Sequence, residues 1–426
     1  MTILYISVII LSILFLEKYA KMKPITAAKR MQTIHSDIRG PLFIEAMNMQ
    51  KSGRDVLKLN TGNPAAFGFE MPASVKDALQ GFEGKALGYC DFMGMPEARR
   101  AIADYHRANG ITDVREEDVF IGNGVSEVAT FSLLPMLDPG DEVLLPLPCY
   151  SLWSNTVRLA GAVGVFYRCD ESDGWNPDTD DIEKKITERT RAILIINPNN
   201  PTGAVYSLEV LSRITEIARK HGLIVLSDEI YDRLILGEKK HIPIASLAPD
   251  IPVITFNGLS KSHFLCGFRC GWMITSGPRG AWDEYREGVI KLTSMRLCAN
   301  APVQTVIPAA LSDDQTPRSV SAPGGRLYEQ SLAAAEELSK IEGVSFVKND
   351  AAFYIFVKLD KERFGLKSDK RLAADLLRSK GILVVPGSGF DYPEPDHFRI
   401  VLLPKAEILR HAISEIGDFL KNYKQS

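Results

Sequence analysis

Short apolar runs separated by helical patterns constrain the fold of this chain more than any other feature. Residues 192–196 (AILII) are apolar and rich in β-branched side chains, which is typical of a strand buried on both faces. Residues 223–226 and 253–256 repeat the pattern, and the helical periodicity of residues 208–221 ends at Gly222. Buried strands that alternate with helices predict an α/β fold with a mainly parallel sheet covered by helices.

The pattern changes near residues 312–325 (SDDQTPRSVSAPGG), which we interpret as a loop or hinge. Shorter strand and helix patterns follow it and predict a smaller α+β unit. The predicted parts are an apolar extension at residues 1–21, an arm with part of the small domain at 22–69, a large domain at 70–314 and a small C-terminal domain at 315–426.

Composition excludes several classes of protein. The chain has 426 residues, and its 50 Lys and Arg nearly balance its 53 Asp and Glu, for a formal net charge of −3. This balance argues against a nucleic-acid partner held by a bulk positive field. Six cysteines are scattered without a CxxC pair, so we expect no metal site and interpret them as reduced thiols of a cytoplasmic protein.

The first 16 residues (MTILYISVIILSILFL) are apolar and do not match the rest of the chain. As a helix they would span about 24 Å, which is less than the roughly 30 Å of a bilayer's hydrocarbon core. They are either a membrane anchor or an upstream extension before a start at Met22. We favour the extension, and membrane attachment is the lesser alternative.

Lys261 lies in a loop of small residues just after the apolar run 253–256. A buried lysine amine has a lowered pKa and can attack an aldehyde. The alternative is an ordinary charge at the edge of the sheet. Arg269 follows eight residues later, so the two cations could hold an aldehyde and an anion of one ligand.

Asp228 and Asn200 each follow a buried strand, and open parallel sheets bind ligands at the carboxyl ends of their strands. A buried aspartate needs a cationic partner such as a protonated ring nitrogen; the alternative for Asp228 is a helix N-cap. Asn200 belongs to the turn NPNNPTG and would point an amide into the crevice, or would serve only the turn.

Two further motifs suit anions. Residues 122–127 (GNGVSE) connect a strand to a helix, so their glycines let backbone N–H groups approach a phosphate. No third glycine follows at the dinucleotide spacing. Arg399 lies in an otherwise apolar strand pattern, where a carboxylate ligand or a structural ion pair would satisfy it.

Together these residues offer an amine for an aldehyde, an acid for a ring nitrogen, a phosphate site and an arginine for a carboxylate. That set suits pyridoxal phosphate acting on an amino acid. Order and spacing along the chain now resemble the class I (fold type I) aminotransferases, most closely the bacterial glutamate–pyruvate (alanine) aminotransferases. The resembling stretches are residues 37–41, 62–64, 89–91, 121–127, 197–206, 228–232, 256–261, 294–300 and 324–330.

The resemblance implies an aspartate-aminotransferase-like fold, with a mostly parallel seven-stranded sheet in the large domain and a smaller α+β domain. It implies that Lys261 forms the Schiff base with pyridoxal phosphate and moves the proton, and that Asp228 pairs with the pyridine nitrogen. It also implies that Tyr231 and Asn200 donate to the 3′-oxygen and that Tyr150 stacks on the ring.

The resemblance also assigns the remaining residues of the site. Val125, Ser126, Ser260 and Arg269 resemble the phosphate site, to which Tyr89 is contributed by the other subunit of a homodimer. Arg399 is similar to the arginine that binds the substrate α-carboxylate, with Gly62 and Asn200 beside it. Arg39 is the candidate for a distal carboxylate, and its alternative is an ion pair that docks the arm.

Three residues depart from the family. Gly258 stands three residues before the lysine, where a serine is frequent, so one phosphate hydroxyl is missing. Ser262 and His263 replace a Thr-Tyr pair of the alanine branch. We expect these departures to affect cofactor affinity more than the type of reaction.

The implied activity is a ping-pong transfer of the amino group between alanine and 2-oxoglutarate, giving pyruvate and glutamate. The alternatives are an aminotransferase for valine or aspartate and a pyridoxal-phosphate β-C–S lyase of the same fold. A ligand-sensing regulator is a further alternative, but it would need a DNA-binding module before the fold.

Overall fold

The computed structural model describes residues 25–425, apart from residues 83 and 85. The chain divides into two compact units, Met1–Ile34 and His35–Ser426. The described part of the first unit contains the 3-10 helix Lys29–Thr33. The apolar extension predicted at residues 1–21, with its alternatives of an anchor and of a start at Met22, lies outside the described residues. No helix in the described ranges is long and apolar enough to cross a membrane.

The second unit holds all the strands that the structure describes. In chain order they are β1 Leu57–Lys58, β2 Val119–Gly122, β3 Glu142–Leu147, β4 Val163–Asp170, β5 Asn176–Pro177, β6 Thr190–Ile196, β7 Ile224–Asp228, β8 Val253–Gly258, β9 Gly271–Ser276, β10 Val344–Phe346, β11 Tyr354–Leu359, β12 Ile382–Leu383, β13 Val385–Pro386 and β14 His397–Val401.

The helices of this unit surround the sheets. They are Pro41–Lys51, Ala73–Gln80, Pro96–Ala108, Val125–Leu133, Ser151–Leu159, Thr179–Lys184, Leu208–His221, Ile244–Leu247, Asp283–Arg296, Ala301–Gln304, Ile307–Ser312, Gln315–Ser321, Arg326–Leu338, Asp369–Lys380 and Ala406–Lys421.

The large sheet has the strand order β2-β9-β8-β7-β6-β3-β4-β5. The central strands β8, β7, β6, β3 and β4 are parallel neighbours, whereas β9 runs antiparallel to both β8 and β2. The predicted α/β class with a mostly parallel sheet is confirmed. The count of seven strands, which the resemblance implied, was one too low, because the two-residue β5 pairs with the end of β4 and extends the sheet by one strand.

Strand β6 shows why the sheet is covered on both sides. Ile193 and Ile195 belong to one hydrophobic core, whereas Ala192, Leu194 and Ile196 belong to another. Alternate side chains of a strand point to opposite faces. Each face of the sheet therefore has its own core, and the continuous apolar run is the consequence.

The second sheet is small and antiparallel, with the order β10-β11-β14-β13. The helices Arg326–Leu338 and Ala406–Lys421 supply its core with apolar residues. Residues far earlier in the chain also reach this region, since β1 pairs in parallel with β12. The domain boundaries before residues 70 and 315 stay a prediction.

The prediction of a loop or hinge at residues 312–325 was wrong in part. Residues Gln315–Ser321 form a helix. The Asp313 side chain accepts hydrogen bonds from the backbone N–H of Thr316 at 2.9 Å and from its hydroxyl at 2.7 Å. The first of these bonds satisfies an N–H group that the helix start leaves unpaired, so a polar segment that looked irregular is helical.

Candidate active site

A cavity of about 700 Å³ lies where the parallel strands end. Strand β6 reaches it at Ile196, β7 at Asp228, and the loop after β8 at Ser260 and Lys261. This is the edge at which open α/β sheets place their ligands. It brings together the predicted site residues Lys261, Asp228, Tyr231, Val125, Ser126, Tyr150, Asn200, Ser260, Arg269, Gly62, Arg399 and Arg39.

Lys261 reaches the cavity from the loop after β8. Its Nζ donates a hydrogen bond to the carbonyl oxygen of Gly62 at 2.9 Å, and the Cys266 sulfur lies 3.8 Å from it. Burial lowers the pKa of Lys261, but electrostatic interaction with Tyr354, Cys266 and Tyr150 raises it, and the pKa lies above its ordinary value. The expectation from the sequence that Lys261 has a lowered pKa was therefore wrong, because its neighbours outweigh the effect of burial. The lysine is nevertheless no ordinary edge charge, since its amine lines the cavity.

Asp228 is the last residue of β7 and is 3% exposed. Its carboxylate accepts hydrogen bonds from Trp153 Nε1 at 2.8 Å and from the backbone N–H of Ile230 at 3.3 Å. Burial raises the pKa of Asp228 to about 6, although these hydrogen bonds lower it. Because a turn and not a helix follows β7, the alternative role as a helix N-cap does not apply.

Arg399 lies on β14 and is 1% exposed. It donates hydrogen bonds to the side-chain oxygen of Asn200 at 2.9 Å and to the carbonyl oxygen of Asn60, and it stacks on the Tyr354 ring at 4.4 Å. Its Nε is buried without a hydrogen-bond partner. Within the ranges that the structure describes, no carboxylate forms an ion pair with Arg399. The structural ion pair that was the alternative prediction is therefore absent there.

Asn200 lies in the turn that follows β6 and is buried. Its side-chain oxygen accepts from Arg399, which leaves the Nδ2 group as a donor at the cavity. The neighbouring Asn199 carries the turn itself, because its side chain accepts from the backbone and hydroxyl of Thr202. The alternative prediction, in which the Asn200 side chain serves only the turn, therefore does not apply.

The predicted phosphate site lies at the start of the helix Val125–Leu133. Arg269 Nη2 donates to the Ser126 hydroxyl at 3.1 Å, and Arg269 Nη1 donates to the Cys266 carbonyl oxygen at 3.0 Å. A Cβ on Gly124 would overlap the Arg269 guanidinium. Only glycine at this position lets the cation lie against the unpaired N–H groups of the helix start, an arrangement that suits a phosphate.

Tyr231 and Tyr354 form a pair of hydroxyls 2.8 Å apart at the cavity wall. Tyr354 is a residue that the sequence reasoning missed. The pairing of β11 with β14 could have identified Tyr354. Phe356 pairs with Arg399, so residue 354 is the diagonal neighbour of Arg399 on the same face of the sheet. That signal needs the strand register, which a single sequence does not provide.

Trp153 and Cys266 were missed as well. Trp153 lies one helical turn after Tyr150, which directly precedes the helix Ser151–Leu159. Residues three apart share a helix face, so its indole could have been expected near the same site. Cys266 contacts the carbonyl of Ser260 at 2.9 Å, and no pattern in the sequence points to this contact.

Two predicted residues behave differently from the others. Arg39 is exposed and lines the cavity. It has no hydrogen bond or ion pair with any other described residue between 25 and 425. The ion pair that would dock the arm is therefore not formed among these residues. Tyr89 is 82% exposed and does not line the cavity of its own chain. Its predicted role depends on a second subunit.

The three departures from the family do not line the cavity. Gly258 pairs with Gly271 across β8 and β9, and a Cβ at position 258 would lie 2.6 Å from the Cys270 carbonyl oxygen. This close strand pairing leaves no space for a serine. Ser262 and His263 are buried and bond to each other at 2.9 Å, so they lie behind the site and not in it.

The charge of the cavity is unbalanced. Four of its lining side chains are basic, namely Lys261, Arg269, Arg399 and Arg39, and one, Asp228, is acidic. Cations in a partly enclosed cavity attract anions more strongly than on an open surface. The site therefore suits a ligand with several negative charges, such as a phosphate ester together with a carboxylate.

Comparison with known proteins agrees with this description. Residues 54–416 match the family model "Aminotransferase class I and II". The chain is 47% identical to the glutamate-pyruvate aminotransferase AlaA of Escherichia coli K12 over 95% of this chain and 100% of that protein. It is 45% identical to the alanine aminotransferase of Mycobacterium tuberculosis H37Rv, over 96% and 95% of the two chains. The crystal structure of an aminotransferase from Escherichia coli superposes with a TM-score of 0.93 at 47% identity, over 95% of this chain and 100% of that one.

Proposed function

Because the chain belongs to the class I and II aminotransferases, we propose that it transfers the amino group between L-alanine and 2-oxoglutarate, giving pyruvate and glutamate. The observation that carries this proposal is the fully buried Arg399, which lines the cavity without a carboxylate partner among the described residues. A buried cation of this kind costs free energy unless a ligand anion pairs with it. The α-carboxylate of an amino acid is such an anion. The relative at 47% identity is named a glutamate-pyruvate aminotransferase, and the relative at 45% identity is named an alanine aminotransferase.

The residues of the cavity fit pyridoxal phosphate. Val125, Ser126 and Arg269 offer backbone donors, a hydroxyl and a cation for a phosphate group, and Ser260 lies at the same cavity. Lys261 offers an amine for the aldehyde. The remaining contacts would come from Asp228, Tyr231, Asn200 and Tyr150. When bound, this cofactor supplies an electron sink that stabilises negative charge at the α-carbon of the amino acid.

Each of these side chains has a distinct task in the proposal. Asp228 holds a proton on the ring nitrogen, since its buried carboxylate is stabilised by a cationic partner. Lys261 Nζ carries the proton to and from the substrate α-carbon. Tyr231 and Asn200 would donate hydrogen bonds to the 3′-oxygen of the ring, and Tyr150 would stack on the ring face. Arg399, with Gly62 and Asn200 beside it, orients the substrate by its α-carboxylate.

Arg39 is proposed to bind the distal carboxylate of glutamate and 2-oxoglutarate. Its guanidinium lines the same cavity and has no anionic partner in the described part of the chain. Alanine and pyruvate have no distal charge and would not use this cation. The two substrates of the reaction would thus share Arg399 and differ in their use of Arg39.

We also propose a homodimer with shared sites in the cytoplasm. Leu87, Tyr89 and Met295 are each more than 80% exposed, and burying such side chains against a second subunit would stabilise a dimer. In a dimer, Tyr89 would reach the phosphate site of the partner. All six cysteines are free, as expected for a reducing compartment.

The test is a pair of half-reactions with the purified protein loaded with pyridoxal phosphate. We expect L-alanine to convert the absorbance of the bound cofactor to that of the pyridoxamine form, and 2-oxoglutarate to restore it. Borohydride treatment of the loaded enzyme should fix the cofactor on Lys261, and Lys261→Ala is the matched control. Failure to load, or attachment at another lysine, would contradict the proposal.

A panel of amino donors then tests the substrate. Alanine should give a higher kcat/KM than valine or aspartate with 2-oxoglutarate as acceptor. Release of pyruvate and ammonia from cystathionine without any oxo acid would instead favour the β-C–S lyase.

A further inference from the structure

The segment of residues 35–39, which we call the arm, forms part of the cavity wall next to the predicted phosphate and substrate groups. His35, Ser36, Ile38 and Arg39 all line the cavity. Three contacts hold the arm in place along its length. His35 bonds to Asn155, Asp37 pairs with Lys370 at 3.1 Å, and the Ile38 carbonyl oxygen accepts from Asn60 at 2.7 Å.

The contact at Asn155 is reciprocal. The backbone N–H of His35 donates to Asn155 Oδ1 at 3.0 Å, and Asn155 Nδ2 donates to the His35 carbonyl oxygen at 2.6 Å. A side-chain amide that pairs with both backbone groups of one residue acts like the neighbouring strand of a sheet. Because both groups are used at once, only an amide oriented in this way satisfies the contact.

The orientation of the Asn155 amide is itself fixed. Arg158, one turn later on the helix Ser151–Leu159, donates from Nη1 to Asn155 Oδ1 at 3.4 Å and from Nη2 to Asp391 Oδ1 at 2.8 Å. Because the Arg158 guanidinium can only donate, the Asn155 atom that it contacts is the amide oxygen. The amide nitrogen of Asn155 therefore points to the His35 carbonyl oxygen of the arm. Asn155 therefore connects the arm to a helix that begins directly after Tyr150, which itself lines the cavity.

We infer that Asn155 is a positioning residue that holds the arm so that Arg39 selects dicarboxylic substrates. This inference rests on the proposed function, in which Arg39 meets the distal carboxylate of glutamate and 2-oxoglutarate. Arg39 has no partner of its own in the described ranges, so the backbone on either side of it determines where its guanidinium lies. Without the Asn155 contact, only the contacts of Asp37 and Ile38 hold the arm. Its N-terminal end is then free, and Arg39 takes a wider range of positions.

The inference predicts a difference between substrates. Asn155→Ala should lower kcat/KM for glutamate about fivefold to tenfold, as expected for the loss of roughly one net hydrogen bond. The loss for alanine should be at least about three times smaller, since alanine has no distal charge to place. Asn155→Asp is the matched variant, because it keeps the oxygen for His35 N–H but turns a second oxygen toward the His35 carbonyl. It should be as impaired with glutamate as Asn155→Ala.

Two further measurements separate positioning from general damage. In an Arg39→Ala background, Asn155→Ala should add less than about twofold to the loss with glutamate, because both changes remove the same interaction. Hydrogen exchange of the wild-type protein should show protection in a peptide that covers residues 35–39, and Asn155→Ala should remove it without changing the helix Pro41–Lys51. Equal losses for both substrates, additive effects with Arg39→Ala, or an unprotected arm in the wild type would each overturn the inference. A wild-type protein without transfer from either amino acid would instead refute the proposed function.

Discussion

Asp228→Asn is expected to make the cofactor-free protein more stable at pH 8 and to lose this advantage near pH 4. Burial raises the pKa of the Asp228 carboxyl from 3.8 to about 6, so the folded protein binds this proton more tightly than the unfolded chain does. Such a group contributes its full stability below the unfolded pKa and loses it as the pH rises through the folded pKa. The wild-type carboxylate therefore destabilises the fold most above about pH 6.

The size of the effect follows from the same pKa. At about 1.4 kcal/mol per pKa unit, the rise from 3.8 to about 6 corresponds to about 3 kcal/mol at pH 8. Asparagine removes the charge and keeps an oxygen for the Trp153 indole, but it gives up one acceptor for Ile230 N–H. That loss costs about 1 kcal/mol, so the net gain at pH 8 is about 2 kcal/mol.

The assay is urea unfolding of cofactor-free protein at several values between pH 4 and pH 8. Glu188→Gln is the control, because it removes a carboxylate that is exposed and not buried. The same Asp228→Asn variant should bind pyridoxal phosphate more weakly than the wild type. A variant that is less stable at pH 8, or a difference that does not change with pH, would refute the reasoning.

Three more substitutions test close contacts of the site. Arg399→Leu should raise KM for amino donors at least about a hundredfold in steady-state kinetics, because a buried ion pair with the substrate is lost; an unchanged KM in a folded variant would contradict this. Gly62→Ala should slow the alanine half-reaction at least about tenfold, since a Cβ would overlap the Tyr354 hydroxyl, and Tyr354→Phe in the same chain should restore part of the rate. If the double variant is no faster, the overlap is not the cause. Gly258→Ala should lower the free energy of unfolding by about 1–3 kcal/mol, because its Cβ would lie 2.6 Å from the Cys270 carbonyl oxygen; equal urea midpoints would speak against this close packing.

The sequence predicts the central strands and their ends well, and for one physical reason. A strand buried on both faces must be apolar throughout, so β6, β7 and β8 stand out, and the polar residues that follow them lie at one edge of the sheet. Lys261 and Asp228 were found in this way. Strand β4 was not found, because several of its residues are exposed or only half-buried and its pattern is not continuously apolar.

The rest of the site depends on distances that one sequence does not contain. Tyr354 meets Tyr231 and Arg399 through the register of two strands, and Trp153 meets Asp228 through the face of a helix. The net raising of the Lys261 pKa has the same origin, since it depends on side chains from other segments. Periodicity predicts which element a residue belongs to, whereas contacts between elements need the packed structure.

The excess of basic groups around the cavity has a practical consequence for work with this protein. Inorganic phosphate and sulfate are compact dianions, and both can occupy a pocket lined by Lys261, Arg269, Arg399 and Arg39. Buffers that contain them compete with the coenzyme during reconstitution and with oxo acids during turnover. The salt chosen for purification thus affects the fraction of enzyme loaded with coenzyme and the apparent substrate affinity. A zwitterionic buffer with a chloride salt avoids this competition and is the reference condition for both measurements.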